Sequence, residues 1–427
     1  MNILILNSNN PLATSGIVSY DLFTGLKGRG HRVRLLVNSY SNDYRPDIIS
    51  LETPFSVRRN KFIKRIKKRL FPSKGVRTNP DYHFHNLAEA KSVYRTAKIL
   101  RKAGMNPDAV IVMFAGDFVN TKNIFELYRN TNARVFWLMY DMAPFTGGCH
   151  YAWDCNGYRE RCGRCPGLYS DDPEDISNKN LLFKKKYIGK TGIEVIAASE
   201  WQFRQARSSY LFSDKLIHKI LLSVDPELFA MADKNEARIR MGIPEDRKII
   251  FFGSVYMSHR RKGMQYLLES LKILKEKVAG SLLDEKILLL IAGREMEEIE
   301  GLLAFPFHFL GFVNNTTGIA SAFQAADLFL CPSIEDSGPS MINQSLMCGT
   351  PVVSFEMGVS PDLVKSGQTG YLARLKDSSD MAQGLYDVLS ADDRTYERMA
   401  ENCRQLAIDL CSPEKQLDSI EKLLQTN

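Results

Sequence analysis

Three loops and one cysteine cluster carry side chains suited to catalysis or ligand binding. In DLFLCPSIEDSGPSMINQSLMCGTPVVSF, residues 327–355, an apolar run ends at Cys331-Pro332 and a loop follows with Glu335 and Asp336. Gly338-Pro339-Ser340 then opens a short helix closed by Gly349. The helix N-terminus attracts anionic phosphate, and Glu335 can accept hydrogen bonds from sugar hydroxyls or act only as a helix-capping acid. A second loop, His259-Arg260-Arg261-Lys262-Gly263, follows the apolar run ending Phe251-Phe252-Gly253-Ser254. Its three cations suit a diphosphate, Arg clamping two oxygens and Lys adding a point charge; a solvated basic loop is the alternative. Near the start, Ser15-Gly16 leads into Ile17, Tyr20 and Leu22, a small-residue loop opening a helix. Its free N–H groups can hold an anion that the glycine lets approach, or it is an ordinary turn.

Cys149, Cys155, Cys162 and Cys165 fall within seventeen residues, with His150 adjacent. Cys162-x-x-Cys165, with Gly163 inside and Pro166 after, resembles a zinc knuckle, and four thiolates suit tetrahedral zinc. Two disulfides, free thiols and a [4Fe–4S] cluster are the alternatives. A zinc ion with four protein ligands keeps no open position, so the expected metal is structural and shapes the site around it.

The elements that must position these groups read as short apolar runs alternating with amphipathic stretches. Strands are expected at residues 2–7, 32–37, 109–114, 134–140 and 193–198, then at 248–253, 286–293, 307–313, 327–331 and 351–355. Helical patterns lie at 17–28, 87–104, 263–274, 381–389 and from Ser412-Pro413-Glu414 to about Leu424. Gly25–Gly30 ends a helix and so is not a dinucleotide fingerprint. Apolar strands with helical crossovers mean parallel sheets covered on both faces. The series starts twice, with a charged, Pro-bearing stretch at 225–248 between. The expected fold is α/β: two doubly wound Rossmann-like domains facing a cleft, with ligands beyond the carboxyl ends of the strands.

On these motifs the second half resembles the C-terminal domain of family-4 retaining glycosyltransferases of the GT-B fold. The matching stretches are RRKG at 260–263, the LLIAG strand, FLGFV at 309–313 and residues 325–373. The N-terminal SGI, the GHRVRLL after it and AASEWQFRQA at 197–206 fit the same family, so the likeness covers nearly the whole chain. It implies an N-terminal acceptor-side domain at 1–222, with a Cys-rich loop at 147–168 and a basic stretch at 57–77. A donor domain follows at 223–410, then a crossover helix at 411–427 returning to the first domain. It also implies transfer of a sugar from a nucleotide-sugar to a hydroxyl with retained configuration, in surface-polysaccharide synthesis. By motif, Ser15 and Gly16 lie at the donor diphosphate, Arg261 and Lys262 stabilise its departing charge, and Glu335 holds the donor sugar. Gly253, Phe312, Val313, Ser337, Gly338, Pro339, Ser340 and Asn343 complete the implied donor site. Asn343 stands where the pattern has a second Glu, and Gly253-Ser254 where Gly-Arg is frequent. Trp137–Asp141 replaces a strand-end His, leaving Asp141 as the catalytic candidate there. No D-x-D motif occurs, so no catalytic metal is expected. A Cys-rich insertion is known in a polysaccharide-assembly subgroup of the family.

The chain has 427 residues and a formal charge of +7, too long for one ordinary core. Residues 57–77 hold ten Lys/Arg and no acid, and the remainder is −3. The protein is therefore near neutral with one basic patch, which argues against a nucleic-acid partner. Phe62, Ile66 and Leu70 share a helical stripe among Lys64, Arg65, Lys67 and Lys68. That pattern fits an interfacial helix on anionic lipid, or a solvated basic helix with its stripe in the core. A glycan or polyprenyl-diphosphate-linked acceptor, and a cytoplasmic protein peripheral at the inner face of the plasma membrane, are the corresponding expectations. No signal peptide or membrane span is visible in the sequence. Two other classes fit less of it: a catalytically silent sugar-nucleotide binder, suggested by Asn343 and Tyr140, and a zinc-containing nucleic-acid-binding protein.

Overall fold

A computed structural model describes residues 1–11, 16–38, 45–52, 76–85, 87–338 and 340–425. Ser15, Pro339, Lys64, Arg65, Lys67 and Lys68 lie outside the described residues, as does nearly all of the basic stretch. The chain divides into two compact units, one of residues 1–198, 202–220 and 419–427, the other of 199–201 and 221–418.

In the first unit, seven parallel strands run in the order β3-β2-β1-β4-β5-β6-β7. They are β1 Asn2–Asn7, β2 Arg32–Val37, β3 Ile48–Ser50, β4 Ala109–Val112, β5 Arg134–Leu138, β6 Glu194–Ala197 and β7 Ile217–Lys219. β1 is buried from Ile3 through Asn7, the continuous apolar pattern of a strand covered on both faces. The helix Pro413–Gln425 ends in this unit, where Glu421 pairs with Arg29 at 2.7 Å and meets His31 Nε2 at 2.8 Å.

In the second unit, six parallel strands run β10-β9-β8-β11-β12-β13. These are β8 Lys248–Ser254, β9 Ile287–Gly293, β10 Phe307–Phe309, β11 Leu328–Cys331, β12 Val352–Phe355 and β13 Gly370–Ala373. The amino ends of β8 and β11 are fastened by a buried carboxylate. Asp327 accepts from Arg238 at 2.7 Å, Lys234 at 2.8 Å and the Ile249 N–H at 2.6 Å. That cluster is structural, and it leaves the carboxyl ends of the same strands for ligands.

All ten expected strands form, several trimmed at their ends, and Phe307–Phe309 is all that pairs of the expected 307–313 strand. β3, β7 and β13 were not expected, and each is a short edge strand. The helix expected over 87–104 forms only over Thr96–Ala103. Its first part is committed elsewhere: the Glu89 carboxylate accepts from the Thr121 N–H and hydroxyl, while the Glu89 carbonyl accepts from Asn120. These bonds cap the helix Thr121–Thr131 at the cost of helical geometry before residue 96.

Candidate active site

The order of the second sheet reverses between β8 and β11, and a cavity of about 210 Å³ opens at their carboxyl ends. Gly253 and Ser254 from β8, Cys331 and Pro332 from β11, and Lys262, Asp336, Gly338 and Ser340 line it. Open α/β sheets bind ligands at such reversals, where neighbouring loops diverge. The loops are drawn together by a backbone contact that only glycine permits. Gly263 has φ +67°, and a Cβ there would stand 1.9 Å from the Pro332 carbonyl oxygen. The Ile334 N–H donates to the Arg261 carbonyl at 2.9 Å, tying the turn Arg260–Lys262 to the segment after β11.

This close packing puts two cations on one carboxylate. Arg261 Nη1 lies 2.6 Å and Lys262 Nζ 2.8 Å from Asp336 Oδ2. Burial alone would raise the Asp336 carboxyl; Lys262 and Arg261 more than offset that and hold it down at about 2. The carboxylate is thus ionised at neutral pH and shields both cations. The helix Ser340–Met347 starts beside it, its first-turn N–H groups without intrahelical partners.

Not every implied donor residue reaches this cavity. Glu335 is buried on the same loop, and Ser337 is buried beside Gly338, but neither lines the cavity. Asn343 is 2% exposed and donates to the Leu222 carbonyl at 2.9 Å, with Cys411 Sγ at 3.5 Å. Its amide is engaged in packing. Phe312 is exposed with the Arg294 guanidinium 4.2 Å over its ring, and Val313 packs against the core of the unit. Sequence reasoning passed over Asp336; its adjacency to Glu335 was the available signal.

In the first unit, Gly16 begins the helix Ile17–Gly28 after β1. A Cβ on Gly16 would fall 1.8 Å from the Asn10 carbonyl oxygen, so the turn after β1 admits no side chain there. A second cavity, about 140 Å³, lies beyond β4 and β5 and is lined by Asp117, Trp137, Tyr140, Asp141, His85 and His150 among others. Asp141 Oδ2 meets His150 Nδ1 at 2.8 Å, and Asp141 Oδ1 accepts from the Ala143 N–H at 2.7 Å. Phe114 and Tyr140 stack with centroids 4.5 Å apart. The two histidines meet because segment 82–85 pairs with the cysteine loop. The His150 N–H donates to the Tyr82 carbonyl and the His85 N–H to that of Gly148, leaving the rings 5.0 Å apart. Burial and then His150 lower the His85 imidazole. Sixty-five residues separate these histidines, so no spacing rule could join them.

The four cysteines are free and all line one cavity of about 20 Å³ with Tyr82, Phe84 and Tyr158. Burial raises Cys149 and Cys165, and pushes Cys162 up to about 12. Among the described residues, no three His, Cys, Asp or Glu side chains are grouped so as to hold a metal ion. As placed, the four thiols share one small cavity.

Comparison with known proteins fits this architecture. Sucrose-phosphate synthase from Thermosynechococcus elongatus superposes with a TM-score of 0.67 at 17% identity, over 99% of this chain and 98% of that one. The Anabaena HepE protein in complex with UDP-glucose does so with a TM-score of 0.61 at 16% identity, over 99% of each chain. The fold is that of GT-B glycosyltransferases. Residues 233–406 match the model of the family Glycosyl transferases group 1, and the matched stretch contains the whole cavity between β8 and β11. An uncharacterised glycosyltransferase of Methanocaldococcus jannaschii is 26% identical over 238 residues, 53% of this chain and 57% of that protein. The chain spans about half the length of the curated relatives it matches.

Proposed function

We propose that the protein is a retaining glycosyltransferase that moves a sugar from a nucleotide-sugar to an acceptor hydroxyl. The observation carrying this is the cation pair Arg261 and Lys262 beside a helix start, at the β8–β11 reversal of a group 1 domain. Breaking a glycosyl–phosphate bond leaves negative charge on the diphosphate. Preorganised cations and a helix N-terminus stabilise that charge more in the transition state than in the ground state. Glu335 holds the donor sugar in this reading, and the departing phosphate takes the acceptor proton. UDP-glucose in the HepE structure supports a nucleoside diphosphate donor.

The acceptor falls to the first unit, whose cavity offers the Asp141–His150 pair and an aromatic wall. A glycan or polyprenyl-diphosphate-linked acceptor of surface-polysaccharide synthesis is the proposed class. Among the described residues, no helix is long and apolar enough to cross a membrane. A peripheral site on anionic lipid at the inner face of the plasma membrane rests on the sequence of residues 57–77 alone, and vesicle co-sedimentation measures it. The functional test is nucleoside diphosphate release from UDP-, GDP- and ADP-sugars. R261A is expected to slow turnover about a hundredfold, as losing one preorganised charge-stabilising donor does; unchanged turnover would remove Arg261 from the mechanism.

A further inference from the structure

The Asp336 side chain sits where an anionic ligand would. Its Oδ2 accepts from a guanidinium, Arg261 at 2.6 Å, and from an ammonium, Lys262 at 2.8 Å. Its Oδ1 lies 3.4 Å from the Gly338 N–H, two residues before the helix Ser340–Met347. Guanidinium, ammonium and a backbone N–H leading into a helix are the donors that phosphate oxygens use. Asp336, Lys262 and Gly338 line the cavity between β8 and β11, and Arg261 reaches it through Asp336, so a ligand there meets the carboxylate and two of its three donors directly.

A carboxylate in that place solves one difficulty and creates another. Two like charges side by side in a partly dry cavity repel, and one anion between them relieves the repulsion. The same anion occupies the donors that a diphosphate needs. A neutral ligand cannot compete for them, whereas a diphosphate carries enough charge to do so. We infer that Asp336 is a built-in placeholder for the donor diphosphate: it holds Arg261 and Lys262 until an anionic ligand displaces it, and so sets both affinity and selectivity for anions. The inference rests on the donor reading of this cavity. It makes and breaks no covalent bond; one set of charge-assisted hydrogen bonds replaces another.

Calorimetric titration of wild type and D336N with inorganic pyrophosphate, uridine and the tightest of UDP, GDP and ADP tests this. Pyrophosphate and the nucleoside diphosphate should bind D336N about tenfold more tightly, the effect of removing one competing charged hydrogen-bond partner. Uridine affinity should not change, and the ligand-free variant should melt lower than wild type. A purely structural Asp336 would instead lower both stability and anion affinity. Equal or weaker pyrophosphate binding to D336N overturns the inference, and so does a gain that includes uridine. D336S carries the same expectation should D336N not fold, and failure of both to fold makes Asp336 structural and ends the proposal. The donor reading is separately at stake: it fails if no nucleoside diphosphate binds more tightly than pyrophosphate in either protein.

Discussion

Asp336 ties the chemistry of one cavity to the stability of its unit. Its carboxyl is depressed from 3.8 to about 2, so its folded value lies below its unfolded one. The contribution to stability is therefore complete above pH 3.8 and is lost as pH falls through about 2. At neutral pH it amounts to about 2 kcal/mol. D336N should unfold at lower urea than wild type at pH 7, with the gap closing between about pH 4 and pH 2. A gap that persists undiminished at pH 2 would show that the ion pair is not its source. At this scale the sequence was a partial guide. Residue type and loop position singled out Lys262, Gly253, Gly338 and Ser340, all of which line the cavity between β8 and β11, and Arg261, which reaches it only through Asp336. Asn343 could not be read in the same way. Its helix is amphipathic, and only the packed structure shows that its amide is taken by Leu222 and Cys411.

At the scale of elements, the turn Arg260–Lys262 and the end of β11 are one device, held by Gly263. In G263A the added Cβ must clear the Pro332 carbonyl and tolerate a positive φ, a strain of about 1–3 kcal/mol. The turn should then leave β11 and take both cations with it. G263A is expected to bind pyrophosphate at least about tenfold more weakly while keeping wild-type circular dichroism; wild-type affinity would uncouple the turn from the site. Strand legibility follows position in the sheet. β1, β8 and β9 are continuous apolar runs because both faces and both edges are covered. The edge strands β3, β7 and β13 are three or four residues long and only partly buried, so they carry no such run. The first part of the helix expected over 87–104 was lost to Glu89, whose partner helix starts more than thirty residues later.

For the molecule as a whole, the repeated series of strands marked two doubly wound units, and composition excluded a uniformly basic surface. The site chemistry is distributed accordingly: a cation pair and helix start in the second unit, a His–Asp pair and aromatic wall in the first. In the proposed function a nucleotide-sugar binds in the second unit, at the β8–β11 reversal. A thermal-shift titration of wild type and an R261A/K262A variant with UDP-, GDP- and ADP-sugars addresses that binding without knowledge of the acceptor. A ligand at one hundred times its Kd adds about 2.7 kcal/mol to the stability of the folded protein. At least one nucleotide-sugar should raise the melting temperature of wild type and leave that of the variant unchanged. Wild type unmoved by all three, or a shift that survives in the variant, would contradict a donor site built on these two cations.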